Sequence, residues 1–452
     1  MWNAECKSET GMNSAFRTPH SALALALVIA TAFSPAHAAD PGWPCWRGPT
    51  RQGIAVAAKL PREWSDSIKP LWEAKLGTGW SSPVVAEGRM FVTDRIDDTE
   101  RVLAFDAKTG RELWTRSDPV SFDPHSVGAR HGNGPKSTPA VSQGRVYSLG
   151  IAGRLLCLDA QRGRLIWQIN FPEVYGEHRS LAGGKARVIG TECVLVPIGN
   201  GEGAPAPLFG YTGSPLVTDS LVVCSVGGAR GGTIMAFDAA TGDEVWRSLH
   251  ENVSYSSPIS ATLGGVEQVV VMTGPEIVGL ELATGRKLWG HPFQIQYDES
   301  ISTPVAADGY VLATGDGHPL TAIRIEQRAG RWSVDVAWEN RDLSSYLSSM
   351  VIHDAHVYGM NDGGEFACLR LTDGQTVWLG GHHGFYCTPV LVNDRLLCLN
   401  ERGELQVLAA TPEKYQPIAA ARLTDRATWT SPAIAGSRIF VRGDKQLRAF
   451  EP

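Results

Sequence analysis

At 452 residues the chain has room for two or three ordinary domains, unless repeats add length without adding separate cores. Its 43% hydrophobic content, 49 glycines and 14 tryptophans suit a globular all-β protein with many turns. A formal charge of −6, with no block of like charge, argues against a nucleic-acid binder, which would carry a basic stripe.

In chain order, the first feature is an apolar run from Ser21 to Phe33, preceded by Arg17 and followed by Ala36-His37-Ala38. That order is the one expected of a secretory signal peptide, cleaved near Ala38 or Ala39. Residues 1–39 are assigned to it, with Met1 and Met12 both open as the start. The run is short for a bilayer span and nothing later reaches spanning length, so the mature chain is expected to carry no transmembrane segment. Cys45 lies beyond Trp43-Pro44, too far from the run for lipid attachment. A soluble, monomeric, periplasmic or secreted protein is the expectation. Of the eight cysteines none forms an adjacent or Cys-x-x-Cys pair; Cys157, Cys368 and Cys398 fall in apolar runs and read as core. A disulfide involving Cys45 or Cys193 stays open.

Residues 40–70 read as a leader, and residues 71–452 as a repeat array. One unit runs from Ser81 to Trp114: three short apolar runs, then Ala107-Lys108-Thr109-Gly110 and a fourth run ending at Trp114. The separators are hairpin turns, so each unit is four strands. Ser/Thr-Pro openings return at Ser82, Thr138, Ser214, Ser257, Thr303, Thr388 and Ser431, with Ser349-Met350 a degenerate eighth. Pro at a strand start costs no ladder bond. Asp106, Asp159 and Asp238 end third strands, where a short carboxylate bonds the following turn, and the turn glycine supplies positive φ. Trp114, Trp167, Trp246, Trp289, Trp338 and Trp378 close units and are expected to fill the wedge between neighbours. The last unit has only three strands before Pro452; Leu71 to Leu76, with Trp72, is expected to complete it and close a ring of eight.

Ala107-x-Thr-Gly-x-x-x-Trp114, recurring with Ser/Thr-Pro openings, resembles the repeat of pyrroloquinoline-quinone-like (PQQ-like) propellers, and the resemblance covers about Leu71 to Pro452. It implies an all-β, eight-bladed β-propeller. Gly42-Trp43-Pro44-Cys45-Trp46-Arg47-Gly48-Pro49 also looks like a leader of exported bacterial members. The superfamily includes quinoprotein dehydrogenases and an outer-membrane assembly lipoprotein that is a non-enzymatic scaffold. The dehydrogenases carry an adjacent Cys-Cys disulfide, a calcium site and a catalytic Asp; this chain has no adjacent pair, and no carboxylate falls on their motif. PQQ with calcium is therefore disfavoured and no catalytic residue is assigned.

The residues two before each opening should ring one mouth of the channel: Trp80, Lys136, Thr212, Tyr255, Ile301, Leu347, Tyr386 and Trp429. With Tyr211 and His131 nearby, the rings and Lys136 suit a planar or anionic ligand. The bland alternative is that these rings pack the channel top. His125, His131, His353, His356 and His382-His383 show no third partner at a metal-binding spacing. The expected function is binding or scaffolding of a protein partner or small ligand, with quinoprotein oxidoreductase as the alternative. An aromatic rim would also suit sugars.

Overall fold

The computed structural model describes residues 42–55, 58–61, 68–124, 128–175, 185–189, 192–196, 207, 209–227 and 231–452. Residues 1–39, read from the sequence as a signal peptide, with Met12, lie outside the described residues, as do His125 and the Cys193 side chain.

Each repeat folds as an antiparallel four-stranded sheet, because alternating apolar runs are separated by turns that accept positive φ, such as Glu87-Gly88 (φ 51° and 73°). In the first blade Val84–Ala86, Arg89–Ile96, Thr99–Asp106 and Glu112–Pro119 run from the centre outward. Seven more blades follow, giving seven four-stranded sheets and one of five strands. The eight-bladed propeller read from the repeats is the observed fold. A separate hairpin, Lys185–Ile189 with Glu192–Val196, lies in the long insertion between blades two and three.

The tryptophans explain the turn glycines. The Trp114 indole donates to Ala160 O of the next blade (3.0 Å), and a Cβ on Gly163 would fall 2.5 Å from its ring. Trp72, Trp167, Trp246 and Trp338 stand in the same way over Gly110, Gly242, Gly285 and Gly374. The glycine is thus required twice, by φ and by the neighbour's ring. Trp378 donates to Thr411 O (2.9 Å). Trp289 departs from this pattern: blade five ends in the long hairpin His318–Arg328/Arg331–Asn340, which lacks the Thr-Gly turn. Its indole donates instead to Gln268 Oε1 in its own blade (2.6 Å), while the ring still packs in the core between blades four and five.

The Ser/Thr openings have a role beyond marking strand starts. At six of the eight openings the backbone N–H reaches the next opening's hydroxyl: Ser82 to Thr138 (3.0 Å), Thr138 to Ser214 (2.9 Å) and Ser214 to Ser257 (3.0 Å). The chain continues from Thr303 to Ser349 (2.9 Å) and Ser349 to Thr388 (3.1 Å), and crosses the seam from Ser431 to Ser82 (3.1 Å). Ser349 keeps the hydroxyl even where its proline is lost. Thr138→Val preserves volume but leaves the buried Ser82 N–H without an acceptor, an expected cost of about 1–3 kcal/mol. For a chain of this length that is a melting-point drop of about 1–3 °C by calorimetry; a drop no larger than that of exposed Ser117→Ala would show the hydroxyl ring to be idle.

Ring closure follows the expected route. Trp72–Lys75 pairs antiparallel with Gln446–Phe450, in the register Trp72↔Ala449 to Lys75↔Gln446. Glu73 receives Gln446 Nε2 and Arg448 Nε, both at 2.9 Å. Inside the seam, fully buried Arg442 donates Nη1 to Ser81 Oγ (2.8 Å) and Thr93 O (2.6 Å), tying blade eight to blade one.

Residues 42–55, read from the sequence only as a leader, enter the central channel. Trp43 exchanges backbone bonds with Val85 of blade one (2.7 and 2.8 Å), and Pro44 O accepts from Val141 of blade two (2.8 Å). The loop reverses, and Ile54–Ala55 descends parallel to the innermost strand Val390–Val392, giving blade seven its fifth strand. The mirror-image directions of the two limbs put the tip of this plug, around Trp46 to Arg51, against the blade openings.

Candidate aromatic cup at the channel mouth

The eight residues preceding the openings do converge. Together with Trp46, His131, Phe209 and Tyr346 they line a cup that admits water-sized molecules over about 150 Å³. Its floor is the Trp46 ring, held by an indole bond to Thr303 Oγ1 (2.9 Å). The plug therefore makes the mouth a blind cup rather than one end of an open channel.

An aromatic arc runs around one side. Tyr386 stacks on Trp429 (6.4 Å between centroids, 17° between planes), and Trp429 lies 6.2 Å from Trp80. His131 meets Trp429 and Phe209 edge-on at 5.1 and 5.5 Å, and Phe209 meets Tyr255 at 5.3 Å. The Trp80 indole donates to His131 O (3.0 Å), which pins the Gly-rich loop to the arc. Ile301 and Leu347 supply the opposite, aliphatic wall. Rings clamped this way lose little freedom when a flat ligand settles on them, which favours binding.

Lys136 is the cationic side chain in this lining. Its ammonium donates to Gly132 O and Phe209 O, both at 3.3 Å. Burial pushes Lys136 down to about 8, with the Glu100 carboxylate opposing that shift. Burial in turn raises Glu100, against the Ile151 N–H that it accepts. The cup thus combines an apolar floor and walls with one amine that is charged below about pH 8.

Tyr211 is placed elsewhere: it is 3% exposed, lies against Gly153 and Phe171, and belongs to the core between blades two and three. His383 is also core, with Nε2 3.0 Å from Tyr415 Oη and burial holding it down at about 4. His353 and His356 flank the blade-six turn at Asp354-Ala355, where both turn residues have positive φ. Among the described residues no three His, Cys, Asp or Glu side chains gather as a metal site would need. The six described cysteines are all free. Two lining residues escaped the sequence reading. Phe209 arrives on the long insertion and Trp46 on the leader, and neither follows the repeat period that located the rest.

The family model described as outer membrane protein assembly factor BamB matches residues 63–124 and 98–379. The chain belongs to this family. Curated members and relatives divide into two kinds. BamB of Burkholderia pseudomallei is 24% identical over 363 residues, covering 74% of this chain and 86% of that protein. Quinohemoprotein alcohol dehydrogenase ADH-IIG of Pseudomonas putida is 28% identical over 267 residues, covering 53% of this chain and 31% of that enzyme. This chain spans less than a third of the length of the quinone-dependent relatives it matches first. Among solved structures, BamB from Moraxella catarrhalis aligns with a TM-score of 0.57 at 15% identity, covering 85% of this chain and 98% of that one. The quinohemoprotein alcohol dehydrogenase of Comamonas testosteroni aligns at 0.60 and 15%, covering 91% and 80%. At such identity these neighbours establish the propeller fold of the family and nothing narrower. No helix among the described residues is long and apolar enough to cross a membrane.

Proposed function

We propose that the protein is an exported, non-enzymatic binding propeller that holds a ligand, or a side chain of a protein partner, in the aromatic cup. The observation that carries this reading is the plugged channel: Trp46 closes the floor, and the space left is lined by stacked rings with a single amine. The chemistry that suits it is a flat apolar body bearing one negative group within reach of Lys136. The relatives named as assembly factors support the scaffold side of this reading, with the rim as the surface a protein would touch.

Quinone-dependent alcohol oxidation is the second reading, favoured by the names of the dehydrogenase relatives. The residues here do not fit the quinone and its calcium. No adjacent cysteine pair exists in the sequence, and no carboxylate cluster faces the cup among the described residues. The plug residues Trp46 and Arg47 also fill the level of the blade openings.

Anilinonaphthalene sulfonate, a flat probe with one anionic group, tests the cup. Its fluorescence should rise on binding the folded protein and fall back with Trp80→Ala or Trp429→Ala. Lys136→Met should weaken the probe by about tenfold, the worth of one charge-assisted contact. Because Lys136 loses its proton as pH rises through about 8, wild-type affinity should fall between pH 7 and 9. The Lys136→Met protein should show no such slope. Unchanged binding in all three variants would remove the cup as the site. Dye-linked alcohol oxidation on adding PQQ and calcium would instead establish the second reading.

A further inference from the structure

The plug carries two arginines into the channel interior. Arg47 and Arg51 are 1% and 2% exposed, and each takes a left-handed backbone, φ 60° and 58°, to turn inward. A non-glycine residue holds that conformation only where its surroundings demand it. Their protein partners are neutral. Arg47 Nη2 donates to Met350 O and to Gln52 O (3.1 Å), and Arg51 donates to Pro215 O (2.8 Å) and Ser214 O (2.9 Å). Arg47 Nε, Arg47 Nη1 and Arg51 Nε meet no acceptor among the described residues. Among the described residues no ion pair involves either residue.

A guanidinium keeps its proton, so two like charges are buried close enough to repel one another. Isolated buried charge is among the least tolerable arrangements in a protein. The neighbouring groups able to ionise are Tyr386, Cys45 and Cys224, and burial raises the Cys224 thiol so that it stays neutral. Burial pushes Tyr386 up to about 12 and raises the Cys45 thiol as well, so neither supplies negative charge at neutral pH.

We propose that a small inorganic anion of the halide type is bound inside the channel beside Arg47 and Arg51, accepting from the Nε–H of Arg51 and from one of the unpartnered N–H groups of Arg47. Such an ion fastens the tip of the plug, and with it the Trp46 floor of the cup, to blades three and six. The inference concerns the plug alone and stands whether or not the cup binds the proposed ligand.

The test uses the whole protein, exchanged into sodium gluconate and titrated with sodium chloride at constant ionic strength. The melting temperature should climb with the logarithm of chloride, by about 3 °C once chloride exceeds its dissociation constant a hundredfold. Bromide should replace chloride and acetate should not; equal action by acetate would overturn the halide assignment. Arg51→Gln should abolish the dependence. Should that variant fail to fold, crystals of the wild type soaked in bromide decide. An anomalous peak beside Arg47 and Arg51 sustains the proposal, and its absence from that position overturns it.

Discussion

Trp43→Ala is expected to lower the melting temperature by about 3–5 °C, the largest effect of any single substitution considered for the plug. Trp43 is 1% exposed, bonds to Val85 and belongs to a core cluster that includes Met90 and the blade-eight residues Ile434 and Phe440. Its loss opens a cavity that the surrounding strands, bonded on both edges, relax into poorly, at a cost of about 3–5 kcal/mol. Trp43 stands on the ascending limb of a loop whose other limb is bonded to blade seven, so its loss should also loosen the cup. Calorimetry reads the first effect and acrylamide quenching of the remaining indoles reads the second. A variant that melts with the wild type and leaves quenching unaltered would mean that the loop merely occupies the channel without bracing it.

Loss of the strand Trp72–Lys75 should have the other large effect. It would bare the backbone of Gln446–Phe450 and take the Trp72 ring from over Gly110, breaking both the seam sheet and the packing between blades eight and one. Two truncated proteins separate closure from plugging. One lacks residues 42–61 and keeps the strand; the other begins at Gly77 and lacks both. The first should still unfold in one calorimetric step at reduced temperature. The second should lose that single step and self-associate through its open edge, because an unpaired strand is a template for pairing. A single sharp transition and a monomeric elution profile for the protein beginning at Gly77 would show that the remaining blades hold together without closure.

How much of this was legible beforehand differs by element. The blades, their number and the closing strand were readable because a repeat displays the same local physics eight times. A turn glycine beneath a neighbour's indole and an opening hydroxyl beside a proline leave marks at fixed spacing. The mouth residues were readable by the same token, since their place is set by distance from an opening; Trp80, Lys136, Tyr255, Tyr386 and Trp429 do share one cup. Tyr211 was grouped with them because it adjoins Thr212, but successive side chains along an extended chain face opposite ways, and its ring points into the core. Trp289 kept its place in the blade interface yet lost its partner, since the neighbouring turn was replaced by a longer hairpin.

Sequence alone determined what is periodic and local: strand, turn, blade count and the pairing of the two ends. Tertiary structure alone decided where the aperiodic leader goes. Nothing in the sequence of residues 43–55 states that its bonding partners lie in blades one, two, three, five, six and seven. Those contacts exist because a closed ring of inner strands presents unused backbone groups to its axis, and a chain on the axis can satisfy several blades at once. The blind cup, its tryptophan floor and the two buried arginines all follow from that passage.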